Sequence, residues 1–165
     1  MQPRHYDFEL DADGYQFYLL AEGLPEDASP LDPSPEETAR MLAVADGVVA
    51  VGTARFGDVP VTVEIVDDAP AADFEAWDHV VECGIYIASE TLLVTGGTDF
   101  LLEDAKRVEI SPGSYCVRVS YGGLSDIPDD LVSPGDRYRV QLWPGAGSEA
   151  RVVKQLDAAT AARMP

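Results

Sequence analysis

Carboxylates are the chemically potent side chains that this 165-residue chain holds in quantity: thirty Asp and Glu stand against two His and two Cys. Asp67-Asp68, Asp129-Asp130 and Asp73 with Glu75 form close pairs. A pair of carboxylates can divide the roles of general acid and base when its surroundings push the two titrations apart. It can also share a divalent cation. With so many acids, neighbouring pairs arise by chance, and a catalytic pair needs a cleft that perturbs it. Asp11-Ala12-Asp13-Gly14 begins like a calcium loop, and Glu22 falls at the twelfth position. The pattern wants an oxygen ligand at the fifth position and glycine at the sixth. Tyr15 and Gln16 stand there instead.

His5 and His79 are isolated and outside any metal-ligand spacing. The chain has no G-x-S-x-G elbow, no P-loop and no dinucleotide fingerprint. Cys83 and Cys116 lie in no C-x-x-C motif and read as buried, reduced strand thiols. The expectation is a chain with no catalytic residues, no metal and no cofactor.

Charge is the stronger signal. The net charge is −19, and residues 1–82 carry −16 of it, with Arg4, Arg40 and Arg55 as their only basic side chains. Such a field repels phosphate backbones and anionic membrane surfaces. It attracts a basic partner. Solubility alone is the simpler explanation. No apolar run approaches the ~18 residues of a membrane span, and the N-terminus lacks a signal-peptide core. A cytoplasmic location is expected.

The elements that would position these acids are short strands. Tyr6, Phe8 and Leu10 alternate with Asp7 and Glu9, and Tyr15 to Glu22 follows after the Asp-Gly turn, which reads as a hairpin. Four prolines punctuate 23–35. Ser34-Pro35-Glu36-Glu37 is a good helix start, and Met41, Leu42 and Val44 offer an apolar side for one short helix over about 35–45. Beyond it, strands are predicted at 48–54, 59–66, 76–87, 90–95, 107–110, 115–121, 137–142 and 151–156, with a helical turn over 100–106. Strand 90–95 is expected beside strand 76–87. Length fits one domain. The fold expected is all-β, an antiparallel β-sandwich of about nine short strands with one short helix, over residues 1–157. Residues 158–165 would be a frayed alanine-rich tail.

Four segments, in order, resemble the competence protein J family: Tyr15-Gln16-Phe17, Ala45-Asp46-Gly47, Glu82-Cys83-Gly84-Ile85-Tyr86-Ile87 and Ile110-Ser111-Pro112-Gly113-Ser114-Tyr115. The segments run from Tyr15 to Tyr115, and the resemblance covers roughly residues 6–143. The proline-rich loop and the alanine-rich tail depart from the family pattern. The resemblance implies a mostly β domain and an inhibitor or immunity-like role, and carries no functional residue over to a position here.

The function expected is therefore an acidic binding protein that covers a basic protein, in the sharpest form a nuclease surface. Asp67, Asp68, Asp73, Glu75 and Asp78 form the densest acidic stretch and are the candidate contacts. Trp77 within it is either a desolvated anchor or a core residue. A small-molecule or carbohydrate site lined by Tyr15, Tyr18, Tyr121, Tyr138 and Trp143 is the alternative. A carboxylate-metal enzyme is the third reading.

Overall fold

The computed structural model describes residues 4–22, 34–96, 105–125, 135–147 and 149–162. Among them are eleven strands in two sheets. The first sheet holds β1 (Arg4–Asp11), β5 (Asp58–Ile65), β10 (Arg137–Pro144), β9 (Gly113–Gly122), β6 (His79–Ile87) and β11 (Arg151–Lys154), in that spatial order. The second holds β3 (Leu42–Ala45), β4 (Val48–Gly52), β2 (Gln16–Ala21), β7 (Thr91–Gly96) and β8 (Lys106–Glu109). No helix among the described residues is long and apolar enough to cross a membrane.

Alternation in the sequence decides which side chains meet. Val59, Val61, Val63 and Ile65 of β5, Val81, Cys83, Ile85 and Ile87 of β6, and Val117 and Val119 of β9 all point inward. Phe17 and Leu19, Val49 and Val51, and Leu92 and Val94 answer them from the second sheet in one shared core. The Tyr138 ring meets Phe17 edge-on at 5.9 Å and Tyr121 at 5.8 Å. These contacts make a sandwich-like arrangement, because each sheet hides one face against the other. Tyr18, Leu20 and Leu93 build a smaller cluster on the other face of the second sheet.

Several expectations are corrected. The first sheet is mixed, since β10 runs parallel to β5. Asp11 to Tyr15 does not close a hairpin, because β1 and β2 belong to different sheets. A short 3-10 turn there, with Gly14 at φ 75°, carries the chain across the sandwich. The β4–β5 link around Gly57 crosses in the same way, and β7 lies in the sheet opposite β6 rather than beside it. Periodicity assigns a residue to a face but leaves its sheet open.

The helix is also shorter. Ser34 and Glu37 form a capping box for α1 (Pro35–Arg40), and Met41 ends it at φ 61°. Leu42 and Val44 therefore lie on β3 and pair with β4. Ala45-Asp46-Gly47 is a strand turn rather than a helix end. The alanine-rich end carries α2 (Ala158–Ala161), capped by Asp157, with Thr160 buried. The helical turn expected over 100–106 falls mostly outside the described residues, and Lys106 begins β8.

One polar network sits at the junction of the sheets. Arg55 and Asp136 are buried, at 1% and 3% exposure. Arg55 Nε donates to Asp136, the Tyr138 hydroxyl donates to the same carboxylate, and Ala54 N–H donates to the Tyr138 hydroxyl. A second junction is His79. Its Nδ1 accepts from Leu156 N–H at 3.1 Å, so Nε2 holds the proton and donates to Arg40 C=O at 2.8 Å. Burial pushes its imidazole below the ordinary histidine range, more than the bond to Arg40 raises it.

Candidate protein-binding surface

Strand order dictates the course of the acidic stretch. β5 and β6 flank β10 and β9, so the connection 66–78 must pass two strands to join them. It does so over the outward face of the first sheet, where β9 and β10 present arginines. Arg118 donates to Pro70 C=O at 3.1 Å and lies 5.3 Å from the Phe74 ring centre. Arg139 holds Asp73 with two bonds of 2.7 Å. Arg137 donates to Ala76 C=O at 2.6 Å, and Lys154 donates to the carbonyls of Phe74 and Trp77.

Four basic side chains thus pin the most acidic loop to the sheet. The Arg139 guanidinium holds the Asp73 carboxyl below its ordinary range. A neighbouring ladder runs across the strands. Glu82 of β6 stands opposite Arg118 of β9 and Arg151 of β11, accepting at 2.8 and 2.9 Å. Burial would raise the Glu82 carboxyl, but the two arginines outweigh it and hold it low.

The candidate contacts divide accordingly. Asp67, Asp68 and Glu75 are exposed. Asp73 is exposed but engaged by Arg139. Asp78 is half-buried and accepts from Leu124 N–H at 2.9 Å. Trp77 is only 7% exposed, with Arg137 and Arg139 at 4.2 and 4.6 Å from its ring. It is a packed part of the loop rather than an exposed anchor. Cation–ring stacking of this kind fixes both partners.

A second set of acids was not singled out by the sequence. Asp7, Glu9 and Asp11 recur at every second residue of β1, so they share its outward face, about 6.6 Å apart. Asp58 of β5 stands opposite Asp11, and Glu64 opposite His5. Thr62 and His5 hydrogen-bond Asp7 and lower its carboxyl. The alternation that marked β1 as a strand already placed these acids on one face. What it lacked was their exposure: Asp7 and Glu9 are open to solvent, and Asp11 is half-buried.

The aromatic alternative does not assemble. Tyr121 and Tyr138 belong to the inter-sheet core, Tyr18 lies on the far face of the second sheet, and Tyr15 and Trp143 are half-buried elsewhere. Among the described residues no three His, Cys, Asp or Glu side chains converge in a metal-binding group. Cys83 faces the core, its thiol pushed up to about 12 by burial. Cys116 pairs with Gly84, not Cys83, and points to the opposite face.

A groove of about 640 Å³ opens where the β3–β4 turn approaches β6, lined by Val44, Asp46, Tyr86, Ser114 and the glycines Gly84 and Gly147 among others. A Cβ on Gly84 would lie 2.5 Å from Gly147 Cα, so the backbones meet there only because both residues are glycine.

No protein-family model matches the chain, and no curated protein is significantly similar to it. Its fold is shared with solved structures. One is ComJ, inhibitor of the DNA degrading activity of NucA, from Bacillus subtilis, with a TM-score of 0.64 over 88% of this chain and 100% of that one, at 14% identity. Another is described as crocagin biosynthetic gene J, with a TM-score of 0.62 over 87% of this chain and 99% of that one, at 17% identity. The resemblance to the competence protein J family seen in the sequence holds at the level of fold.

Proposed function

We propose that this chain is a non-catalytic inhibitor that occupies the basic surface of a nuclease. The observation that carries the reading is the likeness in fold to an inhibitor of a DNA-degrading protein, joined to a net charge of −19. A nuclease must attract phosphate, so the face it offers to DNA is basic. Rows of carboxylates on a rigid sheet can take the place of phosphates there.

The reading uses two neighbouring acidic regions on the same outward face. One is Asp7, Glu9 and Asp11 of β1 with Asp58 of β5. The other is Asp67, Asp68 and Glu75 on the pinned loop. Asp73, Trp77 and Asp78 serve it from behind, by fixing the loop in one conformation before binding. A fixed loop loses less conformational freedom on association, which strengthens binding. The same field forms no attractive surface for nucleic acid or an anionic membrane.

Association kinetics with NucA provide the test. Electrostatic steering predicts an association rate that falls steeply as salt is raised, while dissociation changes less. Reversing Asp67 and Asp68 to Lys should slow association further at low salt. Absence of binding at low ionic strength would remove the reading.

A further inference from the structure

Three of the four segments that carry the family resemblance contribute to one place. Asp46 and Gly47, Gly84 to Tyr86, and Ser114 are far apart in sequence, yet all line the groove beside β6. Topology brings them there: the β3–β4 turn of the second sheet and residues of β6 line one groove, and Ser114 of β9 pairs with Tyr86 of β6. The floor depends on the Gly84–Gly147 approach, where a side chain on either residue would collide with the other's backbone.

The chemistry of this groove is one-sided. Asp46 is its charged side chain, and no lysine or arginine is among the residues that line it. Tyr86 is 62% exposed, which is unusual for a large ring on a strand of the first sheet. Val44 adds an exposed aliphatic wall. A carboxylate, an open aromatic face and a short apolar wall match the parts of an arginine or lysine side chain. The cationic head pairs with the carboxylate and stacks on the ring. The methylene stem covers the apolar wall.

We propose that this groove receives an arginine or lysine side chain presented by a binding partner, with Asp46 taking the charge and Tyr86 the cationic plane. The site is separate from the acidic face of β1 and the pinned loop. It does not require the partner to be a nuclease.

The probe is N-acetyl-arginine amide, titrated into the isotopically labelled full chain and followed by amide NMR. Its neutral isostere, N-acetyl-citrulline amide, is the control. Saturable shifts at Gly47, Gly84, Tyr86 and Gly147 with the arginine probe, and none with citrulline, are expected. Asp46→Asn should weaken the arginine probe by up to about five-fold, the range of an exposed ion pair. Tyr86→Ala should weaken it by about two- to five-fold. Both positions are at the surface, and an unchanged spectrum elsewhere reports that the fold is retained. Equal shifts with citrulline, or arginine shifts spread over the β1 acids without saturation at the groove, would overturn the proposal. Neither result depends on nuclease inhibition, so the two readings fail independently.

Discussion

Arg55→Ala should be among the most destabilising substitutions in the chain. Arg55 and Asp136 are buried side by side where the chain crosses between sheets, and the carboxylate also receives the Tyr138 hydroxyl. Removing the guanidinium leaves Asp136 buried with its charge uncompensated, which costs about 3–5 kcal/mol. Domains of this size unfold with roughly 5–15 kcal/mol, so the loss is a large share of the total. At about 2–4 °C per kcal/mol, the midpoint should fall by about 6–20 °C. Thermal unfolding followed by circular dichroism measures that shift and urea unfolding measures the free-energy loss, with an unchanged m-value showing that the native state stays compact. Arg55→Met combined with Asp136→Ala removes both charges. It should be less destabilising than the sum of the single changes, because contacting partners do not add. A loss below about 1 kcal/mol for Arg55→Ala, or strict additivity in the cycle, would refute the view that this pair fixes the crossing.

Three further outcomes follow from the geometry. Because burial lowers the folded-state titration of His79, its stabilising effect is full above the ordinary histidine range and is lost as pH falls below that range to the lowered folded-state value. His79→Gln should flatten that part of a plot of urea midpoint against pH. Gly84→Ala places a Cβ 2.5 Å from Gly147 Cα and should cost about 1–3 kcal/mol, with amide shifts centred on 145–147 in NMR spectra. Thiol labelling should reach Cys116 well before Cys83, which is buried with its thiol pushed up to about 12. Mild oxidation should form no Cys83–Cys116 disulfide, because the thiols lie on opposite faces of the sheet, and intact-mass measurement checks this.

Strand identity was largely legible in the residues. The alternations at Tyr6–Leu10, Val61–Ile65, Tyr115–Tyr121 and Tyr138–Leu142 all appear as inward-facing rows. Sheet membership was not legible, because an Asp-Gly turn looks alike whether it closes a hairpin or crosses a sandwich. Leu42 shows a second limit. Its apolar spacing suited a helix, but the left-handed Met41 ended α1 and turned the same residues into an edge strand. For the surface, the density of acids at 67–78 was visible, while the basic side chains that pin the loop to the sheet were not. Arg118, Arg137 and Arg139 lie at least 40 residues further on, and only the strand order places them beneath the loop. Trp77 was open between two readings for the same reason, since its covering cations come from β10.

In the role proposed above, this acidic sandwich stops a nuclease by covering its basic surface. The decisive measurement is degradation of linear DNA by NucA, whose activity the fold neighbour ComJ inhibits, followed against rising amounts of this chain at low and at high ionic strength. Degradation should stop near one equivalent at low salt and resume as salt is raised, and the chain with Asp7, Glu9 and Asp11 changed together to Lys should need a large excess for the same effect. Degradation at an unchanged rate under a large excess of the chain at low salt would contradict it.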